Sequence, residues 1–406
     1  MITPEYPPRS IGGGGIVFKN LSEQLNHEGH FVNVLAGSFS NKSFFGKVET
    51  FLENGVNIHF VPLLPSPKFE KFNSATYTFP TINGLFYILK KLIQSEDATI
   101  HLHGFCHPII DLAAFTCVLM NKKYVLTCHG IPKSPESFNS LAKNLFKIYL
   151  NTIERTLTKK ASAVTTVSYF LKKECKAKSL VNENMIVIPN GQNDALNKSS
   201  PDYIKYIENK YSLKNRQVIF ALGRLNENKG FQFLIEAMQE VASKLPNAVA
   251  VIASSGPYRD QLENLVIING LKKNVKLVGW VSEETKAAMY ERSDVVVFPS
   301  IEEPFGLVIL EAFKMHKPLI AFNTETAMEI INDESALLVP VGDSGKMANA
   351  IVQVITDPVL KQKLVAKTAL FRASSWEKIT FQYLKVYKSL NNQKTTLKPE
   401  KQSTYR

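Results

Sequence analysis

Two carboxylates, Glu303 and Glu311, lie on either side of Gly306 in the stretch Pro299-Ser-Ile-Glu-Glu-Pro-Phe-Gly-Leu-Val-Ile-Leu-Glu311. The β-branched run at 295–298 reads as a buried strand, Pro304 and Gly306 as the turn, and 307–315 as a helix with an apolar face. The amide N–H groups of Gly306 and Leu307 then point, unpaired, above the strand's carboxyl end, where a diphosphate fits. From the loop, Glu303 is placed to accept hydrogen bonds from sugar hydroxyls. Glu311, in the second helical turn, is placed to reach a ribose diol. An ordinary helix start collects the same residues, because the helix dipole favours acidic side chains there.

A second cluster precedes this one. Gly223-Arg-Leu-Asn-Glu-Asn-Lys-Gly230 directly follows the apolar strand 218–222, which puts Arg224 and Lys229 on a loop at a strand's carboxyl end. Open α/β sheets bind ligands there. A planar guanidinium and a compact ammonium together suit a departing diphosphate. Near the start, Pro7-Pro8 precede Gly12-Gly-Gly-Gly15, and 16–28 has helical periodicity, so the glycines let another backbone or ligand approach closely.

Taken in order, these segments resemble the retaining, metal-independent glycosyltransferases of family 4, also called group 1. The residues that carry the resemblance are TPEYPP (3–8) with the glycine run, EGHFVNV (28–34), Thr127-Cys128-His129-Gly130, TTVS (165–168), IPNG (188–191), GRLNENKG (223–230), SSGPYRDQL (254–262), VGWVS (278–282) and EEPFGLVILEAF (302–313). The resemblance implies an α/β chain with two Rossmann-like domains facing across a cleft, the GT-B fold, and a C-terminal helix crossing back to the first domain. It implies Arg224, Lys229, His129 and Glu303 as the catalytic set. The donor would be held by Gly12, Gly13, Gly15, Gly223, Gly256, Val281, Phe305, Gly306, Leu307 and Glu311, with Trp280-Val281 near the base. The substrate is then a nucleoside-diphosphate sugar, with no metal and no further cofactor. Retention implies that the acceptor attacks on the face the phosphate leaves, so no protein nucleophile is needed.

The chain departs from that pattern in places. Glu325-Thr-Ala-Met-Glu329 stands where the family has Gly-Gly-x-Pro-Glu, Ser254 where it commonly has Gly, and Gln192-Asn193 where it often has Val-Asp. His129 is implied to lie beside the transferred sugar and orient it. A strand-capping histidine is the alternative. His101, His103 and His107 invite a metal reading, but no carboxylate or thiolate completes the set at ligand spacing.

Around these residues, strand-like and helix-like segments alternate through both halves and imply parallel sheets. Strands are expected at 31–35, 56–61, 99–103, 124–128, 163–167 and 185–188, then at 218–222, 248–253, 275–278, 295–298, 318–321 and 336–339. The expected domains are 1–189 on the acceptor side, a polar hinge at 190–215, 216–375 on the donor side, a crossover helix at 376–390 and a polar tail at 391–406. Loops at 38–53, 63–81 and 131–140 are expected to contact the acceptor. The resemblance also implies several apolar residues ahead of Met1, forming a central strand; either Met1 is an internal residue, which is the expectation because deleting a buried strand opens the core, or the domain lacks that strand.

With 406 residues, 45% hydrophobic and 21% charged, the chain has material for two cores. No apolar run reaches a membrane span and no secretory signal is present, which makes the cytoplasm the default compartment. The four cysteines lack a CxxC pair and read as buried thiols. A net charge of +12 admits a non-catalytic binding module for anionic polymers, but no nucleic-acid motif accompanies it. A sugar-nucleotide epimerase or a phosphorylase of similar fold is the rival within enzymes. Between 141 and 180 lysines and Arg155 outnumber Glu154 and Glu174, and Leu141, Leu145, Ile148, Tyr149, Thr152 and Leu157 recur at helical spacing. That segment is expected either to pack its apolar side on the core or to lie on the inner face of an anionic membrane. The acceptor is expected to be a glycan or a lipid-linked glycan.

Overall fold

The computed structural model describes residues 1–9, 12–38, 46–64, 78–131, 139–180, 184–193, 196–331, 335–371 and 373–391. They form two compact units. The first is Met1–Gly191 with the segment from Ser374, and the second is Gln192–Ala373.

The first unit is built on an eight-stranded sheet of β1 (Ile2–Thr3), β2 (Asn33–Ser38), β3 (Glu49–Glu53), β4 (Val56–Pro62), β5 (Ile100–His103), β6 (Tyr124–Cys128), β7 (Ala163–Thr166) and β8 (Ile186–Val187). The strand order is β3-β4-β2-β1-β5-β6-β7-β8, so the direction of winding reverses at β1 and β5. Helices α1 (Gly13–His27), α2 (Ile82–Ile93), α3 (Pro108–Leu119), α4 (Ser140–Tyr149), α5 (Arg155–Lys160) and α6 (Tyr169–Ala177) connect the strands.

The second unit has six parallel strands, β9 (Gln217–Leu222), β10 (Ala248–Ala253), β11 (Val275–Gly279), β12 (Val295–Phe298), β13 (Leu319–Phe322) and β14 (Leu337–Val339), ordered β11-β10-β9-β12-β13-β14. Its helices are α7 (Pro201–Lys210), α8 (Phe231–Lys244), α9 (Arg259–Ile268), α10 (Glu283–Arg292), α11 (Leu307–Lys314), α12 (Glu325–Ile330), α13 (Ser344–Thr356) and α14 (Pro358–Leu370). Every residue of β10 and β12 is buried, as expected for strands covered on both faces, which is why these strands are continuous apolar runs in the sequence. The last described helix, α15 (Trp376–Asn391), belongs to the first unit and packs on α1.

Three stretches differ from the sequence expectation. Residues 49–53, read as part of a loop, form the edge strand β3, antiparallel to β4. Its three central residues, Thr50, Phe51 and Leu52, are exposed and its ends are charged, so it lacks the continuous apolar signal that marks a buried strand. The polar stretch at 190–215 contains α7, opened by the Ser200 cap and Pro201 and packed against α10. The apolar pattern from Leu141 to Leu157 is not one helix, because a π-helical turn at Leu150–Glu154 separates α4 from α5. Residues 39–45, 65–77 and 132–138 of the expected acceptor loops, and the tail beyond 391, lie outside the described residues. Among the described residues no helix is long and apolar enough to cross a membrane.

Candidate active site

In the second unit the reversal of strand order falls between β9 and β12, and the two charged motifs of the sequence follow these two strands. The loops touch. A Cβ at Gly230, where φ is +69°, would stand 1.9 Å from the Pro299 carbonyl oxygen, and the Ile301 N–H donates to the Asn228 carbonyl at 2.9 Å. Only glycine fits this crossing. The contact brings Lys229 Nζ to 2.5 Å from Glu303 Oε2, with the two side chains 19% and 18% exposed. Two residues expected to act on different parts of a ligand are thus an ion pair in this structure. Arg224 is half-buried on the same loop.

Gly306, at φ +97°, turns the chain into α11, whose N-terminus has no side-chain cap. Phe305 is buried beneath that turn and Leu307 opens the helix. Thr326, at the start of α12, donates its hydroxyl to the Glu303 carbonyl at 2.6 Å. The departure at 325–329 therefore serves the site structurally, by holding the loop that presents Glu303.

Glu311 is buried and bonded on both oxygens. Lys286 Nζ lies 2.7 Å from Oε1, the Asn193 amide donates to Oε1 at 3.2 Å, and the Tyr290 hydroxyl donates to Oε2 at 2.9 Å. Lys286 and Asn193 also bond Glu283 Oε2, at 2.9 and 3.1 Å. Burial pulls the lysine's pKa down, but Glu311 and Glu283 outweigh it and hold Lys286 above the ordinary lysine range. The sequence does not mark Lys286, Tyr290 or Asn193 as site residues. Lysine on a helix reads as solvated, and only the approach of α10 to α11 makes it a buried counter-ion.

The loops after β10 and β11 close on the same end of the sheet. A Cβ at Gly256 would meet the Leu225 carbonyl oxygen at 2.3 Å, and the Ser254 N–H donates to the Gly279 carbonyl at 2.6 Å. Gly223 takes φ +156° beside them. Ser254 itself adopts φ +110°, a conformation costly for any residue but glycine, at the position where the family pattern has glycine. Val281 is half-exposed, and Trp280, 59% exposed, adjoins it.

In the first unit, β5, β6 and α1 assemble a cluster of rings. His129 Nε2 lies 3.1 Å from His103 Nδ1, and the His103 ring lies against His101, tilted by 37° with centroids 3.8 Å apart. Phe18 of α1 packs on both His103 and His129, with centroids 5.1 Å away in each case. His101 is bonded at both nitrogens, to the Tyr387 hydroxyl of α15 at 2.7 Å and to Thr127 at 2.6 Å. Burial depresses all three histidines: His101 and His103 fall well below the usual range and His129 falls to about 3. These are neutral imidazoles. The glycine loop leads into α1, with Gly12 at its cap, Gly13 as its first residue and Gly15 buried. A Cβ at Gly12 would meet a Glu5 carboxylate oxygen at 2.9 Å, so the loop already admits an anionic group closely.

Two further features lie in this unit. Glu154 is buried and Asp111 half-buried, the two carboxyls are hydrogen-bonded to each other, and the Tyr149 hydroxyl donates to Asp111. Burial raises both, Asp111 to about 7, while the bond from Tyr149 pulls the other way. Helix α4 buries none of its side chains, and Leu141, Leu145 and Ile148 face outward. The cysteines are buried, as expected, with Cys128 and Cys175 sulfurs 3.6 Å apart.

Two open α/β units, each with ligand-sized loops at the carboxyl ends of a sheet around its reversal point, define the GT-B class of fold. Residues 11–196 match the family model Glycosyltransferase Family 4, and residues 204–370 match Glycosyl transferases group 1. The chain belongs to this glycosyltransferase family. It is 30% identical over 398 residues to an uncharacterized glycosyltransferase of Methanocaldococcus jannaschii, covering 96% of this chain and 97% of that one. Over 209 residues it is 30% identical to the phosphatidyl-myo-inositol mannosyltransferase of Mycobacterium leprae, covering 50% of this chain and 54% of the relative. Its fold also matches the crystal structure of Anabaena HepE in complex with UDP-glucose, with a TM-score of 0.73 at 19% identity over 96% of this chain and 98% of that one.

Proposed function

We propose that this glycosyltransferase moves a sugar from a nucleoside diphosphate to a glycan or lipid-linked acceptor, with retention and without a metal, in the making of surface polysaccharide or glycoconjugate. The observation that carries this reading is the Lys229–Glu303 pair, held at the carboxyl end of β9 and β12 next to the uncapped start of α11. Lys229, Arg224 and the first amides of α11 would receive the diphosphate, and Glu303 would accept bonds from sugar hydroxyls. In the transfer, the bond from the anomeric carbon to the phosphate oxygen breaks. The acceptor oxygen bonds to that carbon on the same face, and its proton passes to the departing phosphate. HepE, bound to UDP-glucose in its crystal structure, supports the donor class. Glu311 has one acceptor site left after three donors, so a ribose hydroxyl would share the carboxylate with Lys286.

The test is incubation with a panel of sugar nucleotides after exhaustive chelation. Free nucleoside diphosphate with an extended glycan of unchanged anomeric configuration supports the reading. An altered sugar still on the nucleotide means epimerisation, and an inverted product removes the same-face route. Activity lost to EDTA and restored by a divalent ion would overturn metal independence and return attention to His101, His103 and His107.

A membrane-borne acceptor is favoured by α4, whose exposed Leu141, Leu145 and Ile148 accompany exposed Lys143 and Lys147. Helix α3 adds exposed Phe115 and Leu119 beside α2, where Phe86 and Ile93 are exposed. Apolar side chains among lysines suit an anionic bilayer surface, peripheral on the inner leaflet. The protein is expected to cosediment with anionic but not neutral vesicles, less in high salt, and less when Lys159, Lys160, Lys172 and Lys173 become Glu. Equal partitioning to both vesicle types, or to neither, leaves a soluble acceptor as the reading.

A further inference from the structure

We infer that His103 is a positioning residue that fixes the tautomer of His129, so that His129 offers a ring N–H from Nδ1 at the carboxyl end of the first sheet. The inference rests on the reading that His129 faces the substrate, and its first step can be tested without that reading.

Only one proton lies between the two rings. Both imidazoles are held neutral by burial, so each carries one N–H and one lone pair, and the 3.1 Å contact between His103 Nδ1 and His129 Nε2 must join a donor to an acceptor. The choice between the two arrangements is made at the far nitrogen of His103. That residue is fully buried, and among the described residues its Nε2 has no hydrogen-bond partner. A proton on Nε2 would leave an N–H stripped of water with nothing to receive it, whereas a bare lone pair there loses less. The proton therefore belongs on Nδ1, where it is donated to His129 Nε2. His129 must then carry its own proton on Nδ1.

The geometry leaves His103 little freedom to do otherwise. Its ring lies against that of His101, with centroids 3.8 Å apart, and packs against Phe18 at 5.1 Å. His101 is itself pinned at both nitrogens, by Tyr387 of α15 and by Thr127, whose hydroxyl also contacts Thr165 at 2.6 Å. A flipped His103 ring would turn a carbon toward His129 and break the single bond the ring makes. His129, by contrast, is only half-buried, and among the described residues its Nδ1 has no hydrogen-bond partner. The arrangement converts a side chain that is donor or acceptor by chance of tautomer into a defined donor. A sugar hydroxyl or a phosphate oxygen is the chemistry such a donor recognises.

The experiment is two-bond proton–nitrogen correlation spectroscopy on the full chain labelled at histidine nitrogens, at neutral pH, with the His129 signal assigned by its loss in His129→Gln. Wild-type protein is expected to show His129 protonated at Nδ1. His103→Phe keeps a ring and removes the donor, so His129 should move to the Nε2 form or to a mixture. His103→Asn, whose amide can donate from nearly the same place, should restore the Nδ1 form. A wild-type His129 protonated at Nε2, or a tautomer unmoved by His103→Phe, would overturn the inference; the wild-type spectrum decides it even if the phenylalanine variant does not fold. With UDP-glucose as the probe donor, His103→Phe is expected to lower kcat with little change in KM, and His103→Asn to recover it. A tautomer that responds while turnover does not would keep the relay and refute the substrate-facing role of His129.

Discussion

In the second unit the ionisable groups at the strand ends meet as opposite charges, Lys229 with Glu303 and Lys286 with Glu283 and Glu311. In the first unit charges also pair near the surface, Arg9 with Glu49 and Lys19 with Glu53, but its interior titratable groups are held toward neutrality instead: three neighbouring histidines, and Glu154 with the half-buried Asp111, which share a hydrogen bond. Pairing keeps charge available to act on an anionic leaving group, whereas burial leaves hydrogen-bond donors and acceptors of fixed direction. A site that breaks a bond to a phosphate needs the first kind, and a site that only orients hydroxyls can use the second. The two units should therefore answer differently to charge removal and to pH.

The largest effect is expected from Lys286→Met. Its side chain is 6% exposed, and removing it would leave Glu311 buried beside Glu283 without a cation. Breaking such a pair costs about 3–5 kcal/mol, measurable by denaturant unfolding. A loss near zero would show that Glu311 does not depend on this cation and that the contrast between the units is overstated.

Lys229→Ala and Arg224→Ala sharpen the comparison within the second unit. Lys229 is more exposed than Lys286, so its loss should fall on turnover, by about 2–4 kcal/mol of transition-state stabilisation, with a smaller effect on folding. Turnover close to wild type in both variants would remove them from the reaction.

The smallest effects concern pH, and the signs differ. His129 falls from an ordinary 6.5 to about 3, so its contribution to stability is complete above 6.5 and is lost as pH falls toward 3. Asp111 rises from 3.8 to about 7, so its contribution is complete below 3.8 and is lost as pH rises through 7. Relative to wild type, His129→Gln should gain stability as the solution becomes acidic, and Asp111→Asn should gain as it becomes alkaline. Each gain is expected to be roughly 1–3 kcal/mol, read as the difference in Tm across the pH series. Parallel curves for either variant would show that its group is not held neutral in the first unit.

Much of this architecture is legible from residue order. Strands 124–128, 248–253 and 295–298 can be read with their bounds, because strands buried on both faces must be continuous apolar runs. The loops carrying Arg224, Lys229 and Glu303 are legible for a related reason: glycines at φ +69° and +97° mark turns that few other residues can make. Edge strand β3 is not, since exposed residues on both faces and charged ends resemble a loop. Alternate residues on a strand share a face, so the pairing of His101 with His103 follows from spacing.

What the sequence determined by itself was local: which residues turn, which are buried on both faces, and which charged side chains those turns present. Tertiary structure alone decided the partners. That Lys229 meets Glu303, that Lys286 rather than solvent meets Glu311, that Thr326 anchors the Glu303 loop and that His103 abuts His129 all depend on segments far apart in the chain coming within bonding distance. The physical reason is that turns and strands are set by short-range sterics and hydropathy, whereas a hydrogen bond or ion pair is set by a few ångströms of packing that no single segment encodes.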